Sequence, residues 1–242
     1  MNLEPEFLPL GPDGIIVRFA TQLSEPANRA ALAFRAALTD AAPAGVVETA
    51  TSLTSVFLRF RPDQVARASL VGTLHEVLGD RDWSQEPLPQ GRALWHLPAV
   101  FGGDDGPDLG ETADAAGVSP QTAVAELCSA RLRVMALGFA PGQPYLGFMP
   151  EHWNIPRRTE VTPEVPRGAI VVAVRQVIPF ANAAPTGWRQ VGRTHFRCYD
   201  PKINPPLPLR PGDEVCFRAV ETAAFEKLRD VPFGGAEREV LA

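Results

Sequence analysis

Proline and glycine interrupt the chain so often after residue 138 that helical periodicity disappears until the segment FEKLRDVPF near the end. The apolar runs between them are short, and include GAIVVAVRQVIPF, WRQVGRTHFRCYD and PLPLRPGDEVCFRAV. Because proline lacks an N–H donor and glycine favours turns, short apolar runs separated by these residues are typical of strands. The second part of the chain is therefore predicted to fold as a β-barrel or a β-sandwich.

The part of the chain before residue 90 alternates strand and helix patterns instead. Apolar residues either cluster in short runs or recur with helical spacing, in segments 14–20 (strand), 24–40 (helix, capped by Ser24), 45–61 (two strands) and 62–80 (helix, capped by Asp63). This order is typical of a small α+β unit. The acidic N-terminal residues and the end GGAEREVLA are predicted to be frayed.

These patterns predict an α+β protein with two domains. Residues 1–90 form an α+β domain, and residues 91–242 form a mostly β domain with a helical insertion near 106–130. Within the insertion, Ser119 is placed as an N-cap and Pro120 as the first helical residue, which is a strong signal for the start of a helix.

Composition excludes several classes of function. The net charge of −5 and the absence of clustered Lys and Arg argue against nucleic-acid binding. Three widely spaced cysteines without a CxxC motif, and four histidines without ligand spacing, argue against a metal site or a disulfide framework. The start has no signal-peptide pattern and no window is apolar enough to span a membrane, so we expect a cytoplasmic protein.

Four stretches combine turn residues with polar or charged side chains, at 100–111, 138–148, 155–170 and 174–194. In GFAPGQPYLGF (138–148), the turn residues around Gln143 and Tyr145 indicate either a tight corner or a pocket built from backbone. Arg157 is a candidate anion contact, because a guanidinium donates two parallel hydrogen bonds to a carboxylate or phosphate. Trp188 is either a site wall or a core residue, and GGDDG indicates a solvated turn. No nucleophile elbow or phosphate loop occurs.

Six motifs in a fixed order carry a family resemblance, namely GPDL (106–109), GFAPGQPYLG (138–147), PRRTEVTPEVPRGAI (156–170), PTGW (185–188), VGRT (191–194) and LRPGDEVCF (209–217). On these motifs the chain resembles the family of 5-oxoprolinase B subunits, also called allophanate hydrolase subunit 1. That family covers KipI-type kinase inhibitors and the carboxyltransferase half formed by subdomains C and D. The resemblance implies a cyclophilin-like β-barrel in the second domain.

The resemblance also implies a partner and a site. The partner is a second protein of homologous fold (the 5-oxoprolinase C subunit or allophanate hydrolase subunit 2), and a small amide substrate sits where the two subunits meet. ATP is used by the complex, and this chain holds no tightly bound cofactor or metal. The implied catalytic residues are Tyr145, Gln176 and Arg193, and the implied substrate-binding residues are Gly142, Arg157, Pro185, Gly187, Trp188 and Thr194. Tyr145 and Gln176 would hold amide and carbonyl groups, and Arg157 or Arg193 would hold a carboxylate or a phosphorylated intermediate.

The chain departs from the family pattern at several positions, and most of these departures replace a polar side chain of the family. The family sequence QTGIYP is QVIPFA here, and the other changed positions are Phe101, Leu127, Leu132, Gln143, Phe148 and Thr186. A substrate polar atom left without its donor costs specificity. We therefore expect a divergent member, in which either the substrate preference has changed or the pocket no longer works.

Three functions are compatible with these residues. The first is one of two subunits of an ATP-dependent amidohydrolase that acts on a small amide, with 5-oxoproline first. The second is the carboxyltransferase half of a biotin-dependent urea or amide carboxylase, and the third is a non-enzymatic histidine-kinase inhibitor. Because no nucleophile–base pair is visible within the chain, catalysis is expected to require the partner.

Overall fold

A computed structural model describes residues 3–241 of the chain, which divides into two compact units between Gln90 and Gly91. The first unit contains four strands and two helices: β1 (Glu6–Leu10), β2 (Gly14–Arg18), α1 (Glu25–Ala41), β3 (Val46–Thr51), β4 (Ser55–Phe60) and α2 (Arg67–Leu78). The strands form one antiparallel sheet in the order β1-β2-β4-β3. Apolar residues of both helices and of β2 and β4 form its core, in which Phe34, Leu58 and Leu74 are fully buried.

Local capping chemistry explains one helix start and not the other. Ser24 caps α1 as predicted, because its side chain accepts a hydrogen bond from the N–H of Ala27. The prediction that Asp63 caps the second helix is wrong, since α2 begins at Arg67 and its N-cap is Ala66. The N–H groups of Gln64 and Val65 instead donate to the carbonyl of Arg61, which folds this segment into a turn.

The second unit contains ten strands and three helices. Their bounds are β5 (Ala93–Phe101), α3 (Leu109–Ala116), α4 (Pro120–Ser129), β6 (Leu132–Leu137), β7 (Pro144–Gly147), β8 (Thr162–Val165), β9 (Ala169–Ala173), β10 (Gln176–Pro179), β11 (Ala184–Thr186), β12 (Arg189–Thr194), β13 (Glu214–Ala219), α5 (Thr222–Lys227) and β14 (Glu237–Val240). Seven of the strands close into a barrel in the order β12-β9-β10-β7-β6-β13-β5, because β5 also pairs with β12. The predicted barrel is therefore confirmed.

The long strand β5 has different neighbours along its length. Its first residues pair with β14, its last residues pair with β12, and β13 runs parallel to it on the other side. The prediction of frayed ends is wrong for Glu6 and for residues 237–240, whereas residues 1, 2 and 242 lie outside the part of the chain that the structure describes. At the N-terminal end Glu6–Leu10 pairs with β2, and at the C-terminal end Glu237–Val240 pairs with β5.

The RPGD turn before β13 is fixed by a buried carboxylate. Asp213 is 3% exposed, and its two oxygens accept hydrogen bonds from the N–H groups of Ala93 (2.8 Å) and Arg210 (2.9 Å). Burial raises the pKa of the Asp213 carboxyl, and these two backbone donors lower it in part. The carboxylate thus ties the start of β5 to the turn that leads into β13.

Strands β9 and β10 are buried on both faces, and this places a second apolar cluster outside the barrel. Ile170, Val172 and Val177 point into the barrel core. The alternate residues, including Val171 and Ile178, point outward into a cluster completed by other apolar side chains, namely Val165, Ala169, Ala173, Phe180 and Trp188. The two-stranded sheet of β8 and β11 lies beside this outer cluster. We find no helix in residues 3–241 with the length and apolar character needed to cross a bilayer.

His195 gives the second unit a predicted pH dependence. Its ring stacks on Phe225 with centroids 3.9 Å apart, and its Nε2 atom is buried without a hydrogen-bond partner among the described residues. Burial lowers the pKa of His195 below its ordinary value, and the positive charge of Arg193 lowers the pKa further. Glu226 opposes this lowering, whereas Arg229 and Arg167 add to it.

A histidine whose pKa falls on folding stabilises the folded state fully above its unfolded pKa of about 6.5, and this contribution is lost as the pH falls through the folded pKa. We therefore expect the melting temperature of the chain to decrease as the pH is lowered below about 6.5. The decrease should be smaller in His195→Phe, which keeps the stacked ring but cannot be protonated. Thermal melts between pH 5 and pH 8 measure this difference. Parallel curves for the two proteins would exclude His195 as the cause.

Candidate functional site

A small cavity of about 210 Å³ opens beside the outer apolar cluster. Its lining combines aromatic walls with a few polar side chains, and consists of Phe139, Gln143, Tyr145, Arg157, Ile178, Phe180, Pro185, Thr186, Gly187 and Trp188. Five of the predicted site residues are in this lining, namely Tyr145, Arg157, Pro185, Gly187 and Trp188. The motifs that carry them, separated in sequence, are brought to one place by β7, β10 and β11.

The turn at residues 138–143 positions Tyr145. The N–H of Gly138 donates to the carbonyl of Gln143 (3.0 Å), and the N–H of Gln143 donates to the carbonyl of Ala140 (3.1 Å). Strand β7 follows at once, and its residue Leu146 points into the barrel core. Because side chains alternate along a strand, Tyr145 points outward against the outer cluster and lines the cavity.

Gln143 has a fixed orientation in the wall of the cavity. It is 2% exposed, and its Oε1 atom accepts a hydrogen bond from the N–H of Ala181 (3.1 Å). An N–H group needs an acceptor, so the carboxamide must place its oxygen here and its nitrogen elsewhere. No acceptor atom in residues 3–241 receives a hydrogen bond from this nitrogen. The hydroxyl of Tyr145 likewise has no hydrogen-bond partner among those residues.

Arg157 is the positive charge at this cavity. Its guanidinium lies over the Trp188 ring, 5.1 Å from the ring centroid, and no carboxylate in the described part of the chain pairs with it. The neighbouring arginines differ, because Arg158 pairs with Asp108 (3.0 Å) and Glu111, and Arg189 pairs with Glu111 (2.9 Å). Arg157 is therefore the member of this group that can bind a ligand anion without breaking an ion pair.

Arg158 and Arg189 also change the pKa of Glu111, the carboxylate with which both form ion pairs. Hydrogen bonds from Arg158 and then Arg189 hold the pKa of Glu111 below its ordinary value. Glu111 and these two arginines line a second, larger cavity of about 740 Å³ together with Arg157 and residues 159–163. Arg157 thus lies at the boundary of both cavities, with Trp188 supporting its guanidinium.

The PTGW motif shapes the wall that carries Trp188. The side-chain oxygen of Thr186 accepts a hydrogen bond from the N–H of Trp188 (3.1 Å), and the carbonyl of Gly187 accepts one from the N–H of Arg158 (2.7 Å). Trp188 is 6% exposed, so the ring is held largely inside the outer cluster. Both interpretations of Trp188 therefore apply, because it is a buried residue and a cavity wall.

Two of the predicted site residues, Gln176 and Gly142, lie outside the cavity lining and build the frame around it. Gln176 lies on the same outer face of β10 as Ile178, but it is 4% exposed and its Nε2 atom is buried without a hydrogen-bond partner in residues 3–241. Gly142 has a φ of 72°, and a Cβ atom there would lie 2.0 Å from the carbonyl oxygen of Cys198. A glycine is required here for close backbone approach.

The remaining two predicted residues, Arg193 and Thr194, also lie outside the lining, on β12. Arg193 pairs with Asp105 at 3.3 Å. Thr194 is 1% exposed, and its hydroxyl donates to the carbonyl of Pro98 (2.8 Å) and accepts from the N–H of Phe196 (3.1 Å). The bond to Pro98 holds β12 to β5, and the bond from Phe196 fixes the segment that follows β12. The VGRT motif therefore lies where the barrel closes.

Phe139 is a cavity residue that the sequence analysis did not identify. Its side chain is unusually open, with 72% exposure, and its ring centroid lies 6.3 Å from that of Phe180. Its φ of 70° lies in the left-handed region, which is unfavourable for a residue with a Cβ atom. A large aromatic residue inside a Gly- and Pro-rich turn is the signal that could have identified it.

We expect Phe139→Gly to be more stable than Phe139→Ala by about 1 kcal/mol, because glycine adopts a positive φ without strain. Both variants remove the same aromatic wall, so both are expected to weaken ligand binding at the cavity to the same extent. Thermal melts of the chain and ligand titrations of its complex measure the two effects separately. Equal stabilities of the two variants would contradict the strained conformation.

Residues 3–241 contain no group of three or more His, Cys, Asp or Glu residues placed to hold a metal ion. The arrangement offers instead one guanidinium, the donors of Gln143 and Tyr145, and aromatic faces around a small volume. Such a site can bind and orient a small polar molecule that carries an anionic group.

Comparison with known proteins identifies relatives that match nearly the whole chain. A profile of the family described as carboxyltransferase domain, subdomain C and D, matches residues 5–209. A 5-oxoprolinase B subunit from Bacillus subtilis is 28% identical over 95% of this chain and 99% of its own length. Another from Escherichia coli is 40% identical over 53% of this chain and 59% of its own length.

Among solved structures, TTHA0988 is 34% identical with a TM-score of 0.71, over 86% of this chain. This chain spans 40% of the length of the TTHA0988 chain. The profile match covers most of the sequence and contains five of the six motifs, and the sixth motif begins at its last residue. The chain therefore belongs to the family of carboxyltransferase subdomains C and D, with relatives that are named as B subunits of 5-oxoprolinase.

Proposed function

We propose that this chain is the B subunit of a 5-oxoprolinase-type complex and that its cavity beside Trp188 binds the small amide substrate, 5-oxoproline first. The observation that supports this proposal is the unpaired guanidinium of Arg157 at a small cavity with aromatic walls. The names of the relatives support the type of complex and the requirement for other subunits.

The chemistry of the cavity suits this substrate class. 5-Oxoproline carries a carboxylate, a lactam amide and a small apolar ring. Arg157 matches the carboxylate, because a guanidinium forms paired, charge-assisted hydrogen bonds with it. The donors of Gln143 and Tyr145 match the lactam carbonyl, and Phe180 and Trp188 contact the ring.

The volume of the cavity indicates that it binds the small amide and not the nucleotide. A volume of about 210 Å³ is below the range of roughly 300–1,000 Å³ that is usual for larger ligands. The cavity therefore fits a small amide and not ATP, and the sequence has no phosphate-binding loop. ATP bound elsewhere in the complex would be hydrolysed to ADP and phosphate, and this hydrolysis would drive the addition of a second water that opens the lactam to glutamate.

In this reaction the residues of this chain bind and orient the substrate. Arg157 holds the carboxylate, which fixes the position of the ring. The donors at the carbonyl stabilise the negative charge that develops on its oxygen when water adds. Exclusion of water by the aromatic walls strengthens both interactions.

The test is co-expression of this chain with its partner subunits, followed by an assay of ATP-dependent release of glutamate from 5-oxoproline. Turnover that requires both this chain and ATP is expected. A well-folded complex that does not turn over 5-oxoproline would contradict the proposal. In that case a pull-down that recovers only a histidine kinase would favour the kinase-inhibitor alternative.

The second candidate function is the carboxyltransferase half of a biotin-dependent carboxylase. The description of the family itself, as subdomains C and D of a carboxyltransferase domain, favours this candidate. Such an enzyme would transfer a carboxyl group from carboxybiotin to urea or a related amide. Carboxylation of the amide that depends on a biotin carrier, without release of glutamate, would select it over the first proposal.

A further inference from the structure

We infer that Gln143 is a specificity-determining residue, which donates a hydrogen bond to a neutral carbonyl oxygen of the ligand at the buried end of the cavity. The inference deepens the proposed function and rests on it. It assigns a polarity to the ligand, with the anionic group at Arg157 and the carbonyl at Gln143.

The orientation of the carboxamide is the first step. The N–H of Ala181, a residue that is 8% exposed, donates to Oε1 of Gln143 at 3.1 Å. If the carboxamide turned around, two donors would face each other and the buried N–H would lose its acceptor, which costs about 1–3 kcal/mol. The side chain is therefore held with its NH₂ group as the free end.

The second step is what the free NH₂ group can bind. Gln143 lines the cavity, and no atom in the described part of the chain accepts a hydrogen bond from its nitrogen. Because Gln143 lines the cavity, an acceptor on the ligand can reach this NH₂ group and pair with it. The hydroxyl of Tyr145, which also lines the cavity, offers a second donor to the ligand.

The third step compares how much hydration a carboxylate would keep at Gln143 and at Arg157. Gln143 is neutral and 2% exposed, so a carboxylate placed there would lose its hydration without a counter-charge. Arg157 is charged and exposed, so a carboxylate there keeps water and gains an ion pair. The neutral carbonyl is therefore expected at Gln143 and the carboxylate at Arg157.

Two variants separate the donor from the structural role of Gln143. Gln143→Glu keeps an oxygen for the N–H of Ala181 and removes the NH₂ donor. Gln143→Met keeps the approximate length of the side chain, removes both hydrogen bonds and adds no charge. Thermal melts identify any loss of folding, which at pH 8 is expected to be larger for Gln143→Glu, because its buried carboxylate loses hydration without a counter-charge.

The probes are three ring compounds, which are tested on the complex of this chain with its partner. 5-Oxoproline has both groups, 2-pyrrolidinone has the lactam without the carboxylate, and proline has the carboxylate without the ring carbonyl. The Michaelis constant is measured for 5-oxoproline, and inhibition constants are measured for the other two. Arg157→Gln serves as the variant of the opposite end.

We expect both Gln143 variants to weaken 2-pyrrolidinone and 5-oxoproline by about 5- to 50-fold, because a carbonyl loses its donor. Gln143→Met should leave proline unchanged within about 2-fold, whereas Arg157→Gln should weaken proline and leave 2-pyrrolidinone unchanged. Equal shifts for all three probes in Gln143→Met, or no shift for 2-pyrrolidinone in that variant, would overturn the inference. A wild-type complex that neither turns over 5-oxoproline nor binds the other probes would instead overturn the proposed function.

Discussion

Arg157→Gln is expected to lower kcat/KM for 5-oxoproline, in the complex of this chain with its partner, by about 10- to 100-fold. The guanidinium stacks on Trp188 and has no competing carboxylate among residues 3–241, so its charge is available to the substrate. Glutamine keeps a polar side chain but loses the charge and the paired donors. Steady-state kinetics with 5-oxoproline at saturating ATP measure the change.

Arg167→Gln is the matched control for this substitution. Arg167 is also exposed, but it lies outside the lining of both cavities that include Arg157. Its replacement removes the same charge and is expected to leave kcat/KM unchanged within about 2-fold. Equal losses for the two variants would show that net charge, and not a contact at the cavity, determines the activity.

Gly142→Ala is expected to destabilise the second unit by about 3 kcal/mol or more. The backbone there has a φ of 72°, and the added Cβ atom would lie 2.0 Å from a backbone oxygen of Cys198. A backbone oxygen cannot move aside as a flexible side chain can. A loss of this size lowers the melting temperature by roughly 6–12 °C in a chain of this length, which calorimetry measures.

Gly138→Ala provides the control within the same turn. An added Cβ atom at Gly138 would meet Tyr145 at 3.9 Å, which is an ordinary van der Waals contact, and its φ is not positive. We expect a change of less than about 1 kcal/mol. If the two alanine variants had the same melting temperature, the close approach of the turn to Cys198 would be wrong.

The sequence predicted a barrel or a sandwich for the second unit because the signal for short strands is local, and the family resemblance selected the barrel. Proline and glycine limit each run to strand length, and alternation then decides which side chains enter the core. Errors occurred where the outcome depends on distant residues. Asp63 resembles a helix cap, but the Arg61 carbonyl draws the next residues into a turn. Glu237–Val240 resembles a frayed end, but β5 offers it an edge for pairing.

The site could be predicted only in part, because a family motif mixes residues that line a pocket with residues that build it. Tyr145 and Arg157 line the cavity, whereas Gly142 and Thr194 hold the backbone around it. Sequence patterns do not distinguish these roles, since both require a particular residue type. Phe139 carries no motif signal of its own, and its exposure and backbone conformation identify it.

The most direct measurement is ATP-dependent release of glutamate from 5-oxoproline by the complex, compared between the wild-type chain and Arg157→Gln. We expect turnover that requires this chain and that falls about 10- to 100-fold in the variant, with the complex still assembled. Absence of turnover in a well-folded wild-type complex, or equal turnover in the two complexes, would contradict a substrate site at Arg157 and Trp188.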